Sequence, residues 1–229
     1  MKAIETKFYS MRLFQGVEKE TIEEIIQAGY VRTFEKDQMV FMDHDSLEQV
    51  FISLSGNYSL YKLANNGEKK VVFHFDEGYI LNESISLDMP SAIYCQTFLK
   101  GKIFCIDKKI FMEWMEKDKQ LWKNVMAMWE RRIRRLYRQL KNTTASIRMD
   151  KRLAAKLWKL SRDFGLETEE GVSIDLNLSV TYLSELIGAK RETISRQMKV
   201  LLEEDLIYQE GKKIVIPSRK KLQEYFKKD

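Results

Sequence analysis

The chain reads as an α+β protein, and three patterns carry that reading. Residues 30–107 hold short runs of alternating apolar residues broken by turn signals, the mark of strands. A later stretch repeats apolar residues at the period of a helical seam. Beyond it, two short amphipathic segments meet at Gly188 and lead into two strand-like runs. The length, 229 residues, suits about two domains, and 44% hydrophobic with 32% charged residues suits an ordered chain.

The first residues set Phe8, Met11, Leu13 and Phe14 before a helical stretch with Ile22, Ile25 and Ile26, a short leading helix packed on the strands behind it. The runs YVRTFEKDQMVFM, QVFISLSGNYSLYKL, KKVVFHFDEGYIL and IYCQTFLKGKIFCID then predict strands, with a turn at Ala64-Asn65-Asn66-Gly67-Glu68. Regular short strands with glycine turns fit a double-sheet β-roll or jelly roll, and a lectin-like sandwich has the same periodicity. After Ile110-Phe111-Met112 a long helix is predicted. In it Trp122, Met126, Trp129, Ile133, Leu136 and Leu140 recur at spacings of 4, 3, 4, 3 and 4. That a/d seam predicts a dimer, because the flanking Arg131, Arg132, Arg134, Arg135 and Arg138 make the neighbouring faces too polar for a monomer core. The arginine run itself could be a second DNA contact, but reads better as a solvated face, or as partners for acids on the roll. Asn142-Thr143-Thr144-Ala145 lacks seam residues and good helix formers, so a hinge is expected there. Ala154, Leu157, Trp158 and Leu160 then open a further amphipathic helix. The chain thus divides into three parts: 1–109, the roll with its leading helix; 110–144, the dimerisation helix and hinge; and 145–229, the last domain.

In that last part, Ile174-Asp175-Leu176-Asn177-Leu178 reads as a lead-in strand. Val180, Leu183, Leu186 and Ile187 bury one face of a first helix, and Gly188 supplies the positive φ that closes it. A second helix turns Ile194, Met198, Leu201 and Leu202 inward, leaving Arg191, Glu192, Ser195 and Arg196 outside. Two helices in a core would show the same spacing. The outer face, however, suits DNA: arginine forks match guanine, glutamate accepts from cytosine N4, and a small hydroxyl touches phosphate or a thymine methyl. Strand-like runs around Glu210-Gly211-Lys212 add a β-hairpin wing with a basic tip, completing a winged helix-turn-helix.

Charge and composition exclude several classes. The formal net charge is +5; 18 Lys and Arg face 14 Asp and Glu from Lys141 onward, against 21 facing 20 before it. The excess thus sits where phosphate neutralisation would supply affinity. Cys95 and Cys105 lie in apolar, strand-like stretches and are expected to be small buried hydrophobes. With two cysteines and two histidines, a four-cysteine iron-sulfur cluster cannot be built from one chain; a two-histidine metal or haem site is possible in principle, but neither metal nor cofactor is expected. No apolar run approaches the roughly 20 residues of a membrane span, and MKAIETKFYSM lacks a signal-peptide core, so a cytoplasmic protein is expected. No HExxH, GxSxG or P-loop motif nominates a reaction, which leaves an enzyme with an accessory winged helix without a mechanism.

Residues 172–226 resemble the winged helix-turn-helix of the cyclic-AMP receptor and fumarate-nitrate-reduction regulator (CRP/FNR) family. The likeness is carried by Leu183-Ser184-Glu185-Leu186-Ile187-Gly188-Ala189-Lys190-Arg191-Glu192-Thr193-Ile194-Ser195-Arg196. Leu54-Ser55-Gly56 before Tyr58, Leu60 and Lys62, then Gly67, then Glu77-Gly78-Tyr79-Ile80-Leu81 resemble its sensor roll, and this selects the roll over the sandwich. The resemblance implies a homodimeric transcription regulator with recognition helices about 34 Å apart on a palindrome. Arg191, Glu192 and Arg196 would read bases, with Ser195 a thymine or phosphate contact. Ser179, Thr181, Lys190 and Thr193 would hold phosphates, with Lys212 and Lys213 on the wing. Half-sites containing TGA and contact with RNA polymerase are expected.

In the family's nucleotide binders a glycine and a glutamate hold the ribose and an arginine neutralises the phosphate. Here Glu83 matches the glutamate, Asn82 stands for the glycine, and no Lys or Arg occurs from Val71 to Leu99. A buried phosphate without a cation meets a desolvation cost of several kcal/mol, so an effector other than cyclic AMP is expected. Residues matching the haem-binding and cysteine-cluster branches are absent. The expected pocket lies between roll and long helix, lined by Phe73, Phe75, Tyr79, Leu81, Asn82, Glu83, Trp122 and Met126. A roll that senses nothing would instead leave a constitutive DNA-binding regulator.

Overall fold

The computed structural model describes residues 2–64, 67–143, 148–210 and 213–227, the side chains of 2–3 and 141–143 excepted. The chain divides into two compact units, Met1–Leu63 with Val71–Tyr137, and Ala64–Lys70 with Arg138–Asp229. In the first, α1 (Lys2–Ser10), a 3-10 turn (Arg12–Phe14) and α2 (Lys19–Ala28) precede the strands. The leading helix is thus two helices, joined through the 3-10 turn. Strands β1 (Tyr30–Phe34), β2 (Met39–Phe41), β3 (Gln49–Leu63), β4 (Lys69–Phe75) and β5 (Tyr94–Asp107) form one antiparallel sheet. Its order is β1-β5-β3-β4, and β2 pairs with the opening residues of β5.

The long strands β3 and β5 are buried on both faces, which produces their near-continuous apolar runs. Val50, Ile52, Leu54, Phe104 and Ile106 join a cluster with Phe8, Phe14, Ile22 and Phe111 from the helices. The alternate residues Phe51, Tyr58, Leu60, Ile103 and Cys105 fill the roll interior with Phe34, Phe73 and Leu81. Gly56, at φ +87°, sits at a register shift, and a Cβ there would lie 2.6 Å from the Gly101 Cα. The two strands therefore approach where neither has a side chain, and Tyr58 seals the spot by donating to the Ser55 and Lys102 carbonyls at 2.7 and 3.0 Å. Cys95 and Cys105 are free thiols with no exposed surface, and burial pushes Cys105 up to about 11 and Cys95 higher.

The helical stretch after β5 is also two helices, α3 (Lys108–Lys117) and α4 (Lys119–Thr143). Asp118 breaks them. Its Oδ1 accepts from the Gln120 and Leu121 amides at 2.8 and 3.0 Å, capping α4, and its Oδ2 accepts from the Glu18 amide at 3.0 Å. Asn124 fastens α4 further, donating to the Leu13 and Gln15 carbonyls at 3.0 and 2.9 Å. Of the expected hinge, Asn142 and Thr143 are helical, while Thr144 and Ala145 lie outside the described residues. Asn65 and Asn66 of the predicted turn, and Gly211 and Lys212 of the wing tip, lie outside them too.

In the second unit α5 (Met149–Phe164) is followed by β6 (Gly165–Thr168) and β7 (Gly171–Ile174), then α6 (Val180–Ile187) and α7 (Arg191–Glu203). Strands β8 (Tyr208–Glu210) and β9 (Lys213–Ile216) and a final helix α8 (Arg219–Lys227) complete it. The antiparallel sheet runs β6-β7-β9-β8. The expected lead-in strand ends at Ile174, so Asp175–Leu178 link it to α6 rather than pair. Helix α8 packs on α5 through buried Leu222, Phe226 against Trp158, and Tyr225, whose hydroxyl donates to Asp150 Oδ2 at 2.6 Å. Arg148 also donates to Asp150, at 3.2 and 3.0 Å. Burial pushes the Asp150 carboxyl up, but these bonds and the Lys151 amide outweigh it and hold it below the usual range. Among the described residues no helix is long and apolar enough to cross a membrane.

Candidate effector cleft and DNA-reading surface

Helix α4 carries two apolar stripes, not one. Leu121, Val125 and Met128 are buried against the roll, and Arg132 continues their spacing with 8% of its surface exposed. One position along, Trp122, Met126, Ile133, Leu136 and Leu140 are 36–66% exposed, with Trp129 half-buried between the stripes. The sequence seam is therefore the outward one.

Arg132 lies where a leucine would fit the pattern, and the roll is built to take it. Its Nη2 donates to the Leu81 carbonyl at 2.9 Å and its Nη1, at the limit of reach, to Ile80 at 3.4 Å. The guanidinium lies 5.1, 4.9 and 4.8 Å from the ring centres of Phe73, Phe75 and Trp129. Burial pulls it down to about 10 while Glu83 raises it, so it is cationic at neutral pH. Arg135 follows over Phe73 and Phe75 at 5.3 and 5.9 Å. The expectation of a solvated arginine face is corrected at Arg132, a core residue that brings from α4 the cation missing from the strands, and at half-buried Arg135; Arg131, Arg134 and Arg138 are exposed.

A cleft of about 410 Å³ opens beside this pair, bounded by residues 10–13, 73–80 and α4. Phe73, Phe75 and Tyr79 line it as a ladder, with centroids 5.2 and 4.5 Å apart and planes within 15°. Other residues expected in the pocket lie elsewhere. Leu81 and Asn82 are fully buried; Asn82 accepts from the Phe51 amide and donates to the Gln49 carbonyl, both at 3.0 Å. Glu83 accepts from the Ala92 amide and from Ser91. Trp122 and Met126 belong to the exposed stripe because their helical positions, one after Leu121 and Val125, rotate them off the roll. The sequence reading missed Met11, Arg12, Arg131, Arg132 and Arg135 on this cleft; a cation interrupting the 121/125/128 stripe was the available signal.

In the second unit, Ser179 caps α6 by accepting from the Tyr182 amide at 3.0 Å. Gly188, at φ 71°, closes α6 in the left-handed conformation and donates to the Ser184 carbonyl at 2.8 Å. Arg152 of α5 donates to the Ile187 carbonyl at 3.0 Å, fixing the turn. Ile194, Met198 and Leu201 of α7 are buried and Leu202 is half-buried. Arg191, Glu192, Ser195 and Arg196 are exposed, and their side chains make no hydrogen bond or ion pair among the described residues. Ser179, Thr181 and Lys190 are exposed near the turn, and Thr193 is half-buried. Lys213 is held by Asp175 at 2.8 Å, and Lys212 lies outside the described residues.

A family model for the cyclic nucleotide-binding domain matches residues 31–118, and one for the Crp-like helix-turn-helix domain matches residues 151–225. Together they define a DNA-binding transcriptional regulator carrying a cyclic-nucleotide-binding-type domain. Among relatives, the CRP-like cAMP-activated global transcriptional regulator of Mycobacterium tuberculosis is 21% identical over 92% of this chain and 94% of its own. The global nitrogen regulator of Nostoc sp. is 27% identical over 81% and 84%. The fold is shared with the c-di-GMP responsive global regulator CLP of Xanthomonas campestris, at a TM-score of 0.78, 18% identity and coverage of 88% and 100%. The chain belongs to the CRP/FNR family.

Proposed function

We propose that this protein is a homodimeric regulator that binds palindromic promoter sites with TGA-containing half-sites. In this reading it works from the cytoplasm and with RNA polymerase, under control of a small effector other than cyclic AMP seated between roll and α4. The observation that carries the DNA half of the reading is the α7 outer face, four exposed polar side chains that make no hydrogen bond or ion pair among the described residues. Buried Ile194, Met198 and Leu201 hold that face at a fixed rotation. Arg191, Glu192 and Arg196 read base edges, Ser195 a methyl or phosphate, and Ser179, Thr181, Lys190 and Thr193 the backbone. Lys212 and Lys213 add wing contacts, the latter in exchange for its pair with Asp175.

The exposed stripe of α4 supports the dimer: a soluble helix with Trp122, Ile133, Leu136 and Leu140 in water is incomplete without a partner. The parts assigned are 1–109 for the roll, 110–144 for the dimerisation helix, and 145–229 for DNA binding. Against cyclic AMP stands Asn82 in place of the glycine, its amide oxygen and nitrogen both engaged within the roll, whereas Glu83 bonds Ser91 and Ala92 through Oε1 alone. An effector acts only by binding one conformation better than another.

The test is duplex binding across a salt series. Arg196→Ala should weaken binding by about 1–3 kcal/mol and relax one base position. Equal loss on every sequence would make Arg196 a phosphate contact, and salt-independent binding would remove the regulator reading.

A further inference from the structure

We infer that the cleft beside Arg132 takes a planar aromatic anion, and that this seat is distinct from the Asn82–Ala92 cassette of the roll. The inference rests on the effector reading above and names its ligand class. Four arginines, Arg12, Arg131, Arg132 and Arg135, line the cleft, against Asp76 and Glu77. Glu77 is already neutralised by Lys7 at 2.7 Å. The cleft is therefore positive, and it is walled by low-dielectric rings that strengthen the attraction of an anion.

Its apolar wall is equally specific. Phe73, Phe75 and Tyr79 form a parallel ladder whose first two rings are buried beneath Arg132 and Arg135 and whose Tyr79 end is 36% exposed, the end at which a flat ring continues the stack. Arg132 is 92% buried by its 8% exposure and is fixed by carbonyls and rings, so its charge is in place before any ligand arrives. A guanidinium has five N–H donors, and the Ile80 and Leu81 carbonyls take two, which leaves donors for an oxyanion. The volume of about 410 Å³ suits one molecule of one to three fused or linked rings. None of residues 82–92 borders the cleft, so a ligand here leaves Glu83 bonded to Ala92.

The test uses the full-length protein and two fluorescent probes of matching shape, anionic 8-anilinonaphthalene-1-sulfonate and neutral N-phenyl-1-naphthylamine. The sulfonate should bind once per chain and about tenfold or more tighter than its neutral twin, the worth of one charge-assisted hydrogen bond. Arg135→Gln and Arg131→Gln should each reduce that preference, and Arg131→Gln, at an exposed position, should do so without moving the thermal midpoint. Glu83→Gln, which removes a carboxylate that acts on Arg132, should leave it intact or raise it. Equal affinity for the two probes, or an undiminished preference in both arginine variants, would overturn the assignment. A preference abolished by Glu83→Gln would overturn it too, placing the anion in the cassette. DNA affinity measured with the sulfonate present separates the two claims: an arginine-dependent seat with unchanged DNA binding keeps the ligand class and rejects the effector role.

Discussion

Replacing Arg132 by methionine keeps most of the buried volume but removes the charge and its donors. The Leu81 carbonyl loses a 2.9 Å bond from a cation, worth about 1.5–3 kcal/mol, while the 3.4 Å bond to Ile80 contributes little. Contact with three rings adds roughly 1–2 kcal/mol for a desolvated guanidinium. Methionine regains part of this, because burying a cation costs several kcal/mol that a thioether does not incur. The expected net loss is about 2 kcal/mol, with Arg132→Lys smaller at about 1, since an ammonium keeps the charge but not the fork. Urea unfolding followed by tryptophan fluorescence measures it. A Trp158→Phe background leaves Trp114, Trp122 and Trp129, all in the first unit. Chain concentration is held fixed, because a dimer links stability to concentration. In a double-mutant cycle with Phe75→Leu, the coupling should be about 1 kcal/mol. A methionine variant as stable as the parent, with no coupling to Phe75, would refute the account of Arg132 as a structural cation.

The outward stripe and the acid-sensitive caps give further tests. Ile133→Glu and Leu136→Glu lie at exposed positions and should leave each chain folded while raising the dimer dissociation constant at least about a hundredfold. Sedimentation equilibrium reads this, and dimers persisting in both variants would move the interface off α4. For Asp118 burial pushes the carboxyl up, but the Leu121, Glu18 and Gln120 amides outweigh it; Asp150 is likewise held low by Tyr225 and Arg148. A depressed folded pKa gives stability that is present above the unfolded value of about 4 and is lost as pH falls through the folded value. Tyr225→Phe removes one such bond, so Trp158 fluorescence should show the second unit unfolding at higher pH on acidification. An unchanged acid midpoint would sever Asp150 from that stability.

The strands were legible because β3 and β5 write their burial into the chain: alternate residues face helices and roll interior, so both sets are apolar. Gly188 was legible because only a positive φ closes α6 so tightly. Other features left weaker traces. Asp118 splits one helical run into α3 and α4 through bonds to its own following amides and to Glu18, 100 residues away in sequence, which no local pattern displays. The β6–β7 hairpin turns on Glu169-Glu170 before Gly171, a charged pair that carries no turn signature of its own. Helix α8 opens on the basic run Arg219-Lys220-Lys221, and its three anchors, Leu222, Tyr225 and Phe226, acquire meaning only against α5. In the cleft, the aromatic ladder was readable from β4, but its cations come from a helix whose more conspicuous stripe faces the other way. An arginine run looks solvated until one member is seen at a buried heptad position.

The most direct measurement of the central claim is selection of bound sequences from a random duplex pool by the purified protein, without and with arylsulfonate or extract. The account predicts enrichment of a palindrome with TGA-containing half-sites whose centres are about one helical turn apart, the spacing of two α7 helices joined through α4. Enrichment of a single unpaired site would contradict the dimer, and no enrichment under any condition would contradict sequence-specific regulation itself.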